Sequence, residues 1–355
     1  INWDNNPKTS YKKIQLNLND KENLVWVEIN GKIKKENFSY ITRVENQKFD
    51  EDKLNKTELY NNKHLKNLKN KTFFINGKLF IEKPIIVPKN HNLNIAPGSE
   101  LIFSKNSYIY LNGGNLIIDG KDKLIKLRPS GEYWRGIYVN NSPKLSKINN
   151  TKIISTNNFV HEGIFLTGGL NFYNSDIEIL DSVIINAKCE DAINIINSKF
   201  ELNNSQIVNS ISDGLDSDFS DGSINNSFFE NIGGDAIDTS GSKISIINTE
   251  IYGAEDKGLS AGENSEIYVE NFEIDSSRFG LVSKDLSKVS GKKIKIINSI
   301  EFDVMAFEKK MHFGPGFIDV SEIKSDDKIL SQTNSIIVIN NKKITSENFD
   351  SKEFY

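Results

Sequence analysis

The stretch that decides the fold is residues 193–214, INIINSKFELNNSQIVNSISDG. Apolar and polar residues alternate in three short segments, 193–196, 199–202 and 205–208, and asparagine and serine residues separate them. Alternation over about four residues is typical of a β-strand with one buried face, and asparagine and serine favour turns. The stretch therefore predicts three short strands in 22 residues, with no helix between them.

A short phrase returns along the chain: a polar or aromatic residue, then Gly or Ala, then Ile or Leu. Five copies, 22 residues apart, are Asp191-Ala192-Ile193, Asp213-Gly214-Leu215, Asp235-Ala236-Ile237, Lys257-Gly258-Leu259 and Phe279-Gly280-Leu281. Two earlier copies with longer gaps are Arg135-Gly136-Ile137 and Glu162-Gly163-Ile164. A fixed period in the low twenties is typical of a solenoid, in which each repeat stacks on the last. Leucine-rich repeats need a consensus that is absent here, and ankyrin and tetratricopeptide repeats need helices.

Composition excludes several classes. The chain has 355 residues, a formal net charge of −4 and one cysteine. The near-neutral balance argues against nucleic acid as a partner, and no apolar run approaches the roughly 18 residues of a membrane span. The excess of lysine and asparagine suggests a bacterial source. Because the chain opens at Ile1 and not at Met, we expect a trimmed form of a secreted or cell-surface protein, with other domains of a larger surface protein as further partners.

Three regions are expected. Residues 1–70 do not follow the period: they hold a strand at 24–29, the hairpin signal Asn30-Gly31 and helix-like spacing over 49–68, and so predict an N-terminal α+β cap. Residues 71–302 carry the strand repeats. Residues 303–355 hold a second hairpin-like segment and predict a β-rich C-terminal cap.

The rungs in 71–302 resemble the right-handed parallel β-helix of the pectin-lyase-like superfamily. Segments 212–218, 234–238 and 256–260 are also similar to bacterial β-helix repeat proteins, most of which have no assigned activity. The resemblance implies an all-β, right-handed, single-stranded parallel β-helix with three short strands per rung. The superfamily includes pectate lyases, polygalacturonases, epimerases, tailspike glycosidases and non-enzymatic adhesins, so the fold alone does not decide function.

The repeat also predicts columns of charge. If Ile193, Leu215 and their equivalents point inward, the residue after each points outward. These outward residues are Asn194, Asp216, Asp238, Ser260 and Val282. With rungs about 4.8 Å apart, Asp216 stacks on Asp238, and the leading aspartates of successive copies stack too. Two carboxylates about 5 Å apart repel by about 3 kcal/mol at an effective dielectric near 20, so a cation, a shared proton or Lys257 should offset the repulsion.

A bound cation gives one mechanism. Aspartate oxygens suit Ca²⁺, and the predicted ligands are Asp191, Asp213, Asp216, Asp218, Asp235 and Asp238. The ion would bridge to a uronic-acid polysaccharide while Lys257 removes the C5 proton, which makes Lys257, Asp235 and Asp213 the predicted catalytic residues of a lyase or epimerase. The resemblance to calcium-dependent pectate lyases with a lysine base is partial, since residues 212–216 and 234–238 lack the leading aspartate pair of the D-D-G-x-D motif.

The expected partner is an acidic polysaccharide or cell-surface glycan. Its predicted binding residues are Arg278, Trp134, Arg135, His161 and Glu162, because aromatic rings and arginine suit such a chain. Two alternatives remain open. One is a glycoside hydrolase that uses a pair of these aspartates as acid and base. The other is a non-catalytic surface or assembly module whose aspartates are solvated or hold a structural cation.

Overall fold

The structure of the protein is a computed structural model that describes residues 26–29, 32–35, 67–161 and 164–354. The chain separates into two compact units, 1–51 and 52–355. In the first unit, Trp26–Ile29 and Lys32–Lys35 pair as an antiparallel hairpin, and the predicted Asn30-Gly31 turn itself lies outside the described residues. The helix predicted within 49–68 lies outside the described residues, apart from the start of a strand, Asn67–Lys69.

The second unit is an all-β parallel solenoid of about 12 turns, as the repeat predicts. Each turn adds one strand to each of three stacks, here called ladders 1, 2 and 3 in the order in which the chain visits them. The described residues contain no α-helix, and their one 3₁₀ helix is Ser351–Phe354.

Ladder 1 begins with Thr72–Ile75 and ends with Ile336–Ile339. Its strands between these are Asn92–Ile95, Leu116–Asp119, Ser146–Asn149, Ile177–Leu180, Lys199–Asn203, Asp221–Asn225 and the first halves of Lys243–Ala254, Glu266–Asp275, Lys288–Ile297 and Phe317–Lys324. Ladder 2 consists of Lys78–Ile81, Glu100–Phe103, Ile125–Pro129, Thr151–Ile154, Val183–Ile185, Gln206–Ser210, Phe228–Ile232 and the second halves of the same four long strands. Parallel pairing thus continues beyond residue 302, to Ile339.

Ladder 3 is a separate sheet of 11 strands. Its strands are Ile85–Ile86, Ile109–Asn112, Ile137–Asn140, Gly168–Tyr173, Asp191–Ile196, Asp213–Asp218, Ile237–Ser240, Lys257–Gly262, Phe279–Lys284, Phe302–Phe307 and Ile329–Ser331. Short antiparallel strands, Asn67–Lys69 and Lys342–Lys343, flank the two ends of ladder 1. A further hairpin, Phe159–His161 with Ile164–Leu166, stands outside the ladders.

The predicted inward column is confirmed. Its members Ile193, Leu215, Ile237, Leu259 and Leu281 lie in register on successive strands of ladder 3, and each is 0% exposed. Full burial of one such side chain stabilises a protein by about 1.5–3 kcal/mol. Repetition of this stacking on every rung supplies the core.

The small residue of the phrase is a packing requirement. A Cβ atom added to Gly258 would lie 2.6 Å from Ile274 Cγ2, and one added to Gly280 would lie 2.5 Å from Ile296 Cγ2. Both isoleucines belong to ladder 2, so the inner side of ladder 3 approaches ladder 2 closely at this position. At these two positions even a methyl group would overpack the core.

Asparagine forms the corners. Asn226, Asn248 and Asn271 have φ of +48°, +51° and +49°, a left-handed conformation that asparagine tolerates better than most residues. Their side chains form a ladder: Asn248 Nδ2 donates to Asn226 Oδ1 (3.1 Å), and Asn271 Nδ2 donates to Asn248 Oδ1 (2.9 Å). The same side chain therefore permits the turn and links it to the next rung.

One predicted copy of the phrase is corrected. Leu170, and not Ile164, lies in register with Ile137 and Ile193, so the copy on this rung is Gly168-Gly169-Leu170. Ile164 belongs to the inserted hairpin, which begins at Phe159. The insertion lengthens the rung. It also places the pair Gly163-Ile164 shortly before Gly169-Leu170, the pair whose leucine lies in the ladder.

Candidate functional site

The six predicted aspartates lie on the outer face of ladder 3 and are called the carboxyl cluster: Asp191, Asp213, Asp216, Asp218, Asp235 and Asp238. The predicted stacking is confirmed. Asp191 is in register with Asp213, and Asp216 with Asp238. Asp235 lies on the next rung from Asp213, since its backbone N–H donates to Asp213 Oδ1 at 2.9 Å.

One amide bridges two members of the cluster. Asn194 Nδ2 donates to Asp191 Oδ2 (2.9 Å) and to Asp216 Oδ2 (3.1 Å). Burial raises the pKa of Asp191, and burial together with the neighbouring charge of Asp218 raises the pKa of Asp216 to about 9. Asn194 is 3% exposed, yet its Oδ1 accepts no hydrogen bond from the described residues. The two rungs therefore place carboxyl groups of raised pKa beside an unsatisfied acceptor.

The pKa values of two further carboxyl groups are also raised, which favours their protonated form. Burial and the charge of Asp235 raise the pKa of Asp213 to about 8. Burial and the charge of Asp238 raise the pKa of Asp218 to about 6. Like charges within one face cannot all ionise without large repulsion, and carboxyl groups that keep their protons avoid it.

Lys257 is tied to carboxylates on both sides. Its Nζ lies 3.3 Å from Asp235 Oδ1 and 2.5 Å from Asp256 Oδ2, and its backbone N–H donates to Asp235 Oδ1 at 3.0 Å. The Lys257 side chain is 5% exposed. Burial raises the pKa of Asp235, and the Lys257 ammonium acts against that rise. The lysine thus neutralises the buried end of the cluster.

Asp238 behaves differently from its neighbours. Burial acts to raise its pKa, but the ammonium of Lys284, 3.8 Å from Oδ1, and a hydrogen bond with Ser260 outweigh burial and hold the pKa below its usual value. Lys284 Nζ also donates to Ser260 Oγ at 2.8 Å. Sequence reasoning missed Lys284, although continuing the column Asp218, Ser240, Gly262 by one rung leads to it.

Inserted and terminal segments flank the cluster. On the side of the earlier rungs, the hairpin from Phe159 packs against Tyr138, with ring centroids 5.3 Å apart. On the other side, the C-terminal segment covers ladder 3 from Phe279 onward, where the Phe354 ring lies 6.1 Å from that of Phe279. The backbone N–H groups of Lys309 and Lys310 donate to Asp285 Oδ1 at 2.8 and 2.6 Å and fix the segment that follows Phe307.

Within the described residues, the middle of the cluster is partly exposed. Asp213, Asp216, Asp218 and Asp238 are partly exposed, whereas Asp191 and Asp235 are buried. The C-terminal segment therefore does not bury the rungs that carry Asp216 and Asp238. A chain-like ligand could lie across them, between the hairpin and the C-terminal segment.

The three predicted substrate-binding residues whose side chains are described do not gather at one place. Trp134 is 0% exposed, stacks on Phe103 at 4.0 Å and donates to the Ile154 carbonyl, so it belongs to the core and offers no face to a polysaccharide. Arg135 is half-buried and donates to the Asn158 carbonyl at 3.2 Å.

The remaining three predicted binding residues differ in how they are placed. Arg278 pairs with Glu301 at 2.7 Å and approaches Asp256 at 3.9 Å, which links it to Lys257. His161 lies in the hairpin strand Phe159–His161, but its side chain is not described. Glu162 lies outside the described residues.

The carboxyl cluster does not form a calcium cage. Among residues 67–161 and 164–354, no group of three or more His, Cys, Asp or Glu side chains converges closely enough to hold a metal ion. Calcium takes six to eight oxygen ligands, and here Asn194, the Asp235 N–H group and two lysines already occupy carboxylate oxygens. The role of calcium stays a prediction that the donor set does not favour.

Comparisons with known proteins show no family for this chain. No family model matches the sequence, and no curated protein matches it. The chain is similar in structure to the tailspike receptor-binding domain of siphovirus 9NA, with 12% identity, a TM-score of 0.42, and coverage of 73% of this chain and 53% of the tailspike. It is also similar to the catalytic domain of a GH87 α-1,3-glucanase, with 11% identity, a TM-score of 0.33, and coverage of 79% and 65%.

This chain therefore spans between half and two thirds of the length of those two structures. In the described part of the chain, no helix has the length and apolar character needed to cross a membrane. The β-solenoid is confirmed, whereas membership of the pectin-lyase-like superfamily stays a prediction.

Proposed function

We propose that the protein binds a polysaccharide across the outer face of ladder 3 and hydrolyses a glycosidic bond there, with Asp216 as the acid and Asp238 as the nucleophile. One observation carries the proposal. Asp216 and Asp238 are neighbours in register, yet their surroundings move the pKa of Asp216 up to about 9 and that of Asp238 down. Two carboxyl groups with opposed shifts supply the acid and the ionised partner that glycosidases need.

The chemistry follows from these states. Asp216 donates its proton to the glycosidic oxygen while the Asp238 carboxylate attacks the anomeric carbon, so that the carbon–oxygen bond to the leaving sugar breaks. Asp216, now ionised, takes a proton from a water molecule that displaces Asp238. Retaining enzymes keep their two carboxyl groups about 5–5.5 Å apart, and the strand spacing of about 4.8 Å favours that distance over the wider separation of inverting enzymes.

The lyase mechanism finds less support. Its base would be Lys257, but this side chain is 5% exposed and lies between Asp235 and Asp256. A substrate C5 proton could reach the amine only if those carboxylates moved. Asp213 and Asp235, the other predicted catalytic residues, are engaged in hydrogen bonds that join adjacent rungs.

The favoured substrate is an acidic polysaccharide. The protein would act on it at the cell surface or after secretion. Burial and the ammonium groups of Lys284 and Lys257 lower the pKa of Lys309. Cations therefore crowd on one side of the carboxyl cluster, and a carboxylate on the substrate would relieve their repulsion.

The test separates hydrolysis from elimination. The protein is incubated with neutral and uronate-containing polysaccharides, with calcium or a chelator, and both new reducing ends and the absorbance of unsaturated uronate are followed. We expect reducing ends without unsaturated product, with and without calcium. Asp216→Asn and Asp238→Asn should each lower the rate by about 10²–10⁴, while Asp221→Asn, an exposed carboxylate of ladder 1, should not.

Two results would contradict the proposal. Unsaturated product that disappears with the chelator would favour the calcium-dependent lyase. No product from any polysaccharide, together with an unchanged melting temperature in their presence, would favour a non-catalytic surface module.

A further inference from the structure

A second surface of the solenoid, on ladder 1, has the composition of a sugar-binding site. Its centre is Tyr268, whose side chain points outward and is 39% exposed. The neighbours in register are Ser245 on the preceding strand and Ser290 on the following one. Because both are small, the ring is not covered from either side, and a groove of about 560 Å³ lies along these strands.

The tyrosine is held in place. Its hydroxyl donates to Glu270 Oε2 at 2.9 Å, and Glu270 Oε1 is in turn 3.5 Å from Lys292 Nζ and 3.4 Å from Lys293 Nζ. A ring fixed at its hydroxyl end loses little conformational freedom when a ligand stacks on it, which is the advantage of preorganised aromatic binding residues.

The rim of the groove is polar and of mixed sign. Lys243, Glu266 and Lys288 occupy one position on three successive strands, and Lys243 Nζ lies 3.3 Å from Glu266 Oε2. The side chains of this pair are 67% and 52% exposed, so their remaining donors and acceptors are available to a ligand.

This combination favours one ligand class. A sugar ring presents C–H groups on its face, which stack on an aromatic ring, and hydroxyl groups on its edge, which bond to donors and acceptors of either sign. Nucleic acid and polyanionic polysaccharides would need a large excess of positive charge, whereas the lysines here are interleaved with carboxylates: Lys243 and Lys288 flank Glu266, and Lys292 and Lys293 both face Glu270. A protein partner would favour a larger apolar centre than one tyrosine between two serines.

We propose that the groove around Tyr268 binds a neutral stretch of a polysaccharide, on a face of the solenoid separate from the carboxyl cluster. The site goes beyond the proposed hydrolysis and does not depend on it. It would hold a long chain on the protein whether or not ladder 3 cleaves that chain.

The test is affinity electrophoresis through gels that contain a neutral glucan, mannan, galactan or xylan, with polygalacturonate as the charged comparison. We expect retardation by at least one neutral polysaccharide, a loss of affinity of tenfold or more in Tyr268→Ala, and at least half of the wild-type affinity in Tyr268→Phe. Tyr252→Ala is the matched control, because Tyr252 is an exposed tyrosine (48%) on ladder 2. It should bind as the wild type does.

The proposal is overturned if the wild type binds none of the neutral polysaccharides, or if Tyr268→Ala binds them equally well. It is also overturned if Tyr252→Ala weakens binding as much as Tyr268→Ala, or if Tyr268→Ala changes only the oligomeric state in gel filtration. Cleavage of soluble oligosaccharides by Tyr268→Ala, measured separately, distinguishes failure of this site from failure of the ladder 3 proposal.

Discussion

Asp216 and Asp238 occupy the same position on neighbouring strands of ladder 3, yet their carboxyl groups favour opposite protonation states at neutral pH. Burial and the charge of Asp218 raise the pKa of Asp216 to about 9. Burial acts on Asp238 too, but Lys284 and Ser260 outweigh it and lower the pKa. The repeat thus places equivalent side chains side by side, and one lysine from two rungs further on makes them chemically different.

The rate of glycoside hydrolysis should depend on both groups. Activity requires Asp238 ionised and Asp216 protonated, so it should be present at neutral pH and fall as the pH rises through about 9, the pKa of Asp216. Initial rates on the best substrate between pH 4 and 10 check this. An alkaline limb that begins below pH 7 would show that Asp216 is not the acid.

Stability should fall as the pH rises. Asp218, Asp213 and Asp216 have folded-state pKa values of about 6, 8 and 9, against about 3.9 in an unfolded chain. The folded protein therefore binds more protons than the unfolded chain between about pH 4 and 9, and its free energy of unfolding decreases across that window. We expect a lower melting temperature at pH 9 than at pH 5.

Asp216→Asn tests the cause of that decrease. An amide cannot ionise, so the variant should lose less of its melting temperature between pH 5 and pH 9 than the wild type. Asp221→Asn, on the exposed face of ladder 1, is the control and should follow the wild type. Identical pH profiles for all three proteins would show that Asp216 does not retain its proton on folding.

Removal of the Lys257 ammonium should be costly. Lys257→Met leaves Asp235, which is 6% exposed, without its cation. The loss of one partner of a buried pair typically destabilises by about 3–5 kcal/mol. Denaturant unfolding at pH 7 measures this, and the double variant Lys257→Met with Asp235→Asn should recover part of the loss.

Lys243→Met is the matched comparison. Its ion pair with Glu266 is exposed, and exposed pairs contribute about 0–1 kcal/mol. Equal losses for Lys257→Met and Lys243→Met would mean that the Lys257 ammonium is solvated and that its pairing with Asp235 is not structural.

The asparagine corners should depend mainly on backbone conformation. Asn248→Ala forces alanine to φ +51°, which costs about 1–2 kcal/mol, and it also removes both ladder hydrogen bonds. Asn248→Gly removes the same bonds but accepts the positive φ, so it should be less destabilising in denaturant unfolding. Equal destabilisation by the two variants would assign the effect to the side-chain ladder alone.

Much of the fold was predictable because each repeat of a solenoid packs only against the repeats next to it in the sequence. Ile193 and Leu215 repeat 22 residues apart, and a chain that alternates with that period can bury its apolar side only by stacking rung on rung. The prediction was wrong at Glu162-Gly163-Ile164, because an inserted hairpin supplied a copy of the phrase that lies outside the ladder.

The sequence by itself determined the columns: which side chains point inward, and that aspartates stack on the outer face of ladder 3. Only the tertiary structure decided which of those aspartates favour the protonated form and which favour the ionised form. Their protonation depends on how deeply each carboxyl group is buried and on the contacts that Asn194 and Lys284 make with them, which periodicity alone does not give. Trp134 shows the same limit, since an aromatic residue beside a turn can face a ligand or, as here, stack on Phe103 in the core. Periodicity fixes which way a side chain points, whereas its chemistry depends on contacts that come from other rungs and from insertions.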